Sequence, residues 1–112
     1  MKIAPTVKVQ IDNQIMKCPD RKRVSQLEAL PNIGKAIGKD LRLIGIVSPQ
    51  QLIGADAFAL YNWLCEKTGQ RHDPCVIDVF LAAINFMEGG EPLPWWKFTS
   101  KRKLMLKTGS TS

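Results

Sequence analysis

The chain has little of what a catalyst or a membrane protein needs. Across 112 residues there is one histidine, His72, and one tyrosine, Tyr61. No nucleophile–base pair, no glycine-rich nucleotide loop and no carboxylate cluster can be read from it, so an enzyme is not expected. No apolar run approaches the ~20 residues of a membrane span. The opening Met1-Lys2-Ile3-Ala4-Pro5 lacks the apolar stretch and cleavage site of a secretory signal, and a cytoplasmic location is expected. Cys18, Cys65 and Cys75 are an odd number, which argues against a complete disulfide framework and suits reducing conditions. Zinc sites show paired short ligand spacings. Cys65, His72 and Cys75 do not form them, so neither a metal nor another cofactor is expected.

What is present fits one small globular domain, with 45% apolar and 23% charged residues. The formal charge of +6 is concentrated at the two ends. Lys2, Lys8, Lys17, Arg21, Lys22 and Arg23 crowd the first segment. Lys97, Lys101, Arg102, Lys103 and Lys107 crowd the last, with no acid after Glu91. The middle tips acidic, so basic ends could flank a binding face, or simply be solvated.

Periodicity divides the chain into an N-terminal arm over 1–19, a helical domain over 20–90 and a tryptophan-bearing strap with a basic tail over 91–112. Thr6 to Ile11 alternates and suggests an extended arm or edge strand. A first helix is expected from about Asp20 to Leu30, with Val24, Leu27 and Leu30 as its apolar face. A second runs from about Lys35 to Ile44. Gly38 sits inside it, which suggests close contact with another helix. Ser48-Pro49 opens a short third helix, and a fourth covers about Asp56 to Lys67 with Gly69 as its cap. Asp73 caps a fifth, from Pro74 to about Met87, apolar on most sides and therefore central. Asp78 stands alone on that helix and is expected to pair with a basic residue.

Leu30-Pro31-Asn32-Ile33-Gly34-Lys35 lies between the first two helices and forms a tight hairpin. A turn of this kind at a helix start presents free backbone N–H groups and the positive end of the helix dipole, which together hold a phosphate oxygen. Asn32, Ile33, Gly34, Lys35 and Ala36 are the candidate contacts, with Lys35, Lys39 and Arg42 reaching neighbouring phosphates. Such contacts carry no sequence information. Three phosphates imply a log–log salt slope of about −2.7, weak alone at physiological salt, so a dimer or a partner protein would help. A looser second hairpin is read at Thr68 to Pro74, with Gly69, Arg71 and His72 as candidates. Trp95-Trp96 with Lys97 could stack on bases, although such rings more often pin a tail to a core. Lys101, Arg102 and Lys103 are candidate tail contacts.

Two hairpins joined by a connector helix resemble the double helix-hairpin-helix domain of many DNA repair and recombination proteins, best over Leu27 to Leu52. Asp40 to Ile46, Asp73 to Phe80 and Trp95 to Thr99 are more narrowly similar to a small bacterial family labelled pathogenicity-locus or mitomycin-resistance protein. The C-terminal domain of the competence regulator TfoX is a more distant likeness. The resemblance implies an all-α fold, a compact five-helix double helix-hairpin-helix domain of the SAM/DNA-polymerase-beta-N-like type. It also implies DNA binding in repair, mitomycin resistance or competence, and supplies no reaction. In two respects the chain departs from the helix-hairpin-helix pattern: Asn32 stands where Gly is usual, and Gly38 where Ala is preferred. The alternative reading is a protein-interaction module with no DNA affinity.

Overall fold

The computed structural model describes residues 18–107. The alternating stretch at 6–11 and the end at 108–112 lie outside the described residues. Four α-helices and three 3₁₀ turns are present, with no strand among the described residues. The helices are α1 (Lys35–Leu43), α2 (Ala57–Thr68), α3 (Cys75–Met87) and α4 (Thr99–Lys107). The 3₁₀ turns cover Leu27–Ala29, Pro49–Leu52 and Trp95–Phe98.

The expected first helix is absent, and its apolar spacing explains why. Val24, Leu27 and Leu30 are buried, as read. They repeat every three residues, with no partner at the fourth, which suits successive turns better than an α-helical face. Asp20 O accepts Val24 N–H at 2.8 Å, then Gln26 turns extended (φ −114°, ψ 134°) and breaks the run. Pro31 disfavours helical backbone at the residue before it. Leu30 is accordingly extended (φ −75°, ψ 152°), so the 3₁₀ turn stops at Ala29. Likewise the helix expected after Ser48-Pro49 is a single 3₁₀ turn, its start held by Gln51 Oε1, which accepts from Val47 and Ser48 N–H at 2.7 and 3.0 Å. Three of the five expected helices are therefore α-helices, and a fourth, α4, forms in the segment read as a basic tail.

The remaining helices lie close to the positions read. Asp73 Oδ1 accepts Cys75 N–H at 2.9 Å and starts α3. This backbone hydrogen bond holds the Asp73 carboxyl below its ordinary range. Gly69 closes α2 in left-handed backbone (φ 70°). α3 is the centre of the molecule. It packs against α2, against the Trp95–Phe98 turn and against α4. Phe80 and Phe86 are fully buried, and Ile77, Val79, Ile84 and Met87 nearly so.

Asp78 is fully buried on α3. Its Oδ1 receives Arg102 Nε–H at 2.7 Å, and its Oδ2 receives the Thr99 hydroxyl at 2.7 Å. Both donors are on α4. Asp78 thus pairs with a basic residue, as its isolation implied, and the pair fastens the last helix to the central one. The core continues past Gly90: Phe98 is buried and Trp95 packs on the apolar cluster.

Candidate nucleic-acid interface

The segment Leu30 to Lys35 is a tight turn into α1. Asn32 takes left-handed backbone (φ 70°), which asparagine tolerates better than most residues. Ile33 is fully buried, and its amide donates to Leu30 O at 3.2 Å. That amide, expected to face outward, is used inside the turn. The chain then emerges at Gly34, the N-cap of α1, where no side chain caps the helix. Gly34, Lys35 and Ala36 are exposed.

Gly34 has no internal reason to be glycine. Its backbone is extended (φ −102°, ψ −168°), a conformation open to any residue. A Cβ placed there would meet nothing within 4 Å. Only something approaching from outside would require the missing side chain.

Lys35 and Lys39 are exposed on successive turns of α1. Arg42, expected beside them, is engaged. Its two terminal nitrogens reach Glu28 at 2.6 and 2.8 Å, a bidentate pair that raises the guanidinium's proton affinity through the hydrogen bond. Gly38 makes room for that carboxylate: a Cβ there would lie 2.8 Å from Glu28 Cδ. The close approach inferred at Gly38 is real, but it comes from a side chain and not from a second helix. Asp40, half-buried, is the one acid within α1.

The Asn32 side chain faces the C-terminal strap. Its Nδ2 donates to Leu93 O at 2.8 Å, and its Oδ1 accepts Trp95 N–H at 3.1 Å. A glycine could form the turn but not this brace. Nothing in the local sequence signals it, because the partners are 61 and 63 residues away.

The turn has a structural echo twenty-two positions on, which sequence reasoning missed. Leu30 corresponds to Leu52, Asn32 to Gly54 and Gly34 to Asp56. In both copies a 3₁₀ turn leads to a tight turn and then a helix. Ile33 N–H donates to Leu30 O, and Ala55 N–H donates to Leu52 O at 3.0 Å. Asn32 and Gly54 both have left-handed φ, 70° and 79°. The signal available was a leucine, a turn-former two residues later and a helix start two beyond that, repeated at a fixed offset.

The two copies differ in charge. In the second, Asp56 Oδ1 accepts from Phe58 and Ala59 N–H at 2.9 and 3.3 Å, and Glu88 Oε2 accepts Gly54 N–H at 2.7 Å. Carboxylates of the chain itself occupy that helix start. The first copy has glycine at the cap and lysines behind it.

The second hairpin was expected at Thr68 to Pro74. Gly69 and Arg71 are exposed there. His72 Nε2 lies 2.8 Å from Thr68 Oγ1, itself 2.8 Å from Leu64 O. The Tyr61 hydroxyl donates to His72 O. His72 is thus built into the turn. Among the described residues no group of three His, Cys, Asp or Glu side chains could hold a metal ion. Burial, then Asp73, raises the Cys75 thiol pKa.

In the tail, Lys97, Lys101 and Lys103 are exposed. Arg102 is turned inward onto Asp78 and is not on this surface. Trp95 packs on the core while Trp96 is 59% exposed, the two indoles meeting edge-on with centroids 5.7 Å apart.

The chain belongs to the pathogenicity-locus family, whose model matches residues 20–104. It is 37% identical over 82 residues to the mitomycin resistance protein McrB of Streptomyces lavendulae, which covers 73% of this chain and 78% of that protein. No solved structure matches it. No helix among the described residues is long and apolar enough to cross a membrane.

Proposed function

We propose that this protein binds the phosphate backbone of DNA, without sequence preference, through the outward amides at the start of α1 and the side chains of Lys35 and Lys39. The observation that carries the reading is the contrast between the two turn–helix units. Asp56 caps its own helix with a carboxylate, while Gly34 leaves the equivalent place open and needs no glycine for the fold. An external anion supplies the missing cap. With Arg42 committed to Glu28, Lys35 and Lys39 give a log–log salt slope of about −1.8 for this turn. The name of the Streptomyces relative favours a setting in mitomycin resistance. We assign no catalytic step.

Gly34→Asp tests the reading. An aspartate at this extended N-cap imitates Asp56, so the variant is at least as stable as the native chain, gaining roughly a few tenths of a kcal/mol. Its carboxylate then occupies the place of the phosphate. A short duplex followed by fluorescence anisotropy at low salt should bind the native chain and not the variant. Equal binding by both would remove the hairpin from the interface.

One observation favours a second reading, a protein-interaction module. Leu43 and Trp63 are 42% and 57% exposed, and with Ile44, Gly45 and Lys67 they line an apolar groove at the far end of α1. A partner seated there would ignore Gly34→Asp and be lost with Trp63→Ala.

A further inference from the structure

We infer that Trp96 is a stacking platform for an unpaired nucleobase, so that the preferred ligand is DNA with a single-stranded overhang or junction rather than continuous duplex. The inference rests on the phosphate reading of the α1 hairpin and extends it to a ligand class.

Trp96 has no task in the core. Its neighbour Trp95 packs on the apolar cluster, while Trp96 remains 59% exposed. The edge-on contact with Trp95, at 84° between planes, limits how its ring can move. Its position is tied to the hairpin. Asn32, two residues before Gly34, accepts the amide of Trp95, one residue before Trp96. The exposed indole and the open helix start are therefore joined through one side chain.

The charge around it fits the same ligand. Lys97, Lys101 and Lys103 are exposed, and no acid follows Glu91 in the chain. Asp78 is a carboxylate facing α4 from the core, and Arg102 neutralises it internally. The surface lysines are left with their charge. Single-stranded nucleic acid is held by a ring that stacks on any base and by cations that follow the backbone, and this chain has exposed lysines one, five and seven residues after the exposed ring.

Trp63 provides an internal control. It is 57% exposed, almost the same as Trp96, but it lies on α2 in the groove with Leu43 and has no tie to Asn32. The experiment compares a blunt duplex with the same duplex carrying a short single-stranded overhang, by anisotropy at low salt. The native chain should prefer the overhang by about tenfold, the effect of one stacked base. Trp96→Ala should lose that preference and keep its affinity for blunt duplex within about twofold. Trp63→Ala should match the native chain on both. Gly34→Asp should lose both ligands.

Equal overhang preference in Trp96→Ala and the native chain overturns the inference, as does an equal loss in Trp63→Ala. So does an absence of binding to either DNA, or Trp96-dependent capture of anionic lipid vesicles in place of DNA. If Gly34→Asp binds like the native chain while Trp96→Ala still loses the overhang, the hairpin reading fails and the stacking platform stands.

Discussion

Asn32 does two things that no single other residue type would do as well. It holds the left-handed turn, and its amide braces the strap through Leu93 and Trp95. Asn32→Gly keeps the turn and loses two hydrogen bonds, a cost of about 1–3 kcal/mol. Asn32→Ala loses the same bonds and adds a left-handed alanine, a further ~1–2 kcal/mol. Urea denaturation should rank native, Gly and Ala in that order, and an alanine variant as stable as the glycine one would contradict the account. Glu28 makes a different kind of prediction. Its bond to Arg42 takes a cation away from the surface next to Lys39. Glu28→Ala should therefore tighten DNA binding and steepen the salt slope by about one unit, measured by salt titration. The unusual asparagine was legible in the sequence as a departure from the glycine pattern. Its purpose was not, because its partners are distant in the chain.

Among the elements, α2 and α3 were readable because caps and a strong apolar pattern agreed. Asp56 and Gly69 mark the ends of one, and Asp73 marks the start of the other. The segment before Leu30 was misread because a three-residue spacing and a helical spacing share two of their first three positions. The second hairpin read at Thr68 to Pro74 joins α2 to α3, while the closer echo of the first turn lies before α2. Gly54 is the left-handed residue of that echo, in the place Asn32 holds in the first turn. Tail residues had been read as surface cations, but Arg102 serves α4 by joining it to Asp78. That ion pair is nearly dry, with side-chain exposures of 10% and 0%. Arg102→Met strands a buried carboxylate and should cost about 3–5 kcal/mol, while Asp78→Leu with Arg102→Met should recover most of it. Chemical denaturation of the single and double variants checks this, and a mild Arg102→Met would mean that α4 is held by its apolar contacts.

At the scale of the whole molecule, the overall balance of charge misleads. Part of the positive charge is paired off: Arg42 meets Glu28 at the surface, and Arg102 meets Asp78 in the interior. What remains outward on the described surface includes Lys35 and Lys39 at one turn and Lys97, Lys101 and Lys103 beside the strap. The family and the helical class were visible in short sequence blocks, because caps, prolines and apolar spacing are local. The arrangement of the site was not, because it depends on which side chains cancel one another across the fold.

The brace at Asn32 also orders events in time. A ribosome delivers this asparagine about sixty residues before the two backbone groups that secure its amide. The proposed phosphate site is then among the last features of the domain to be finished as the nascent chain emerges. A polypeptide cut short before Leu93 would carry every residue of that site and none of its bracing.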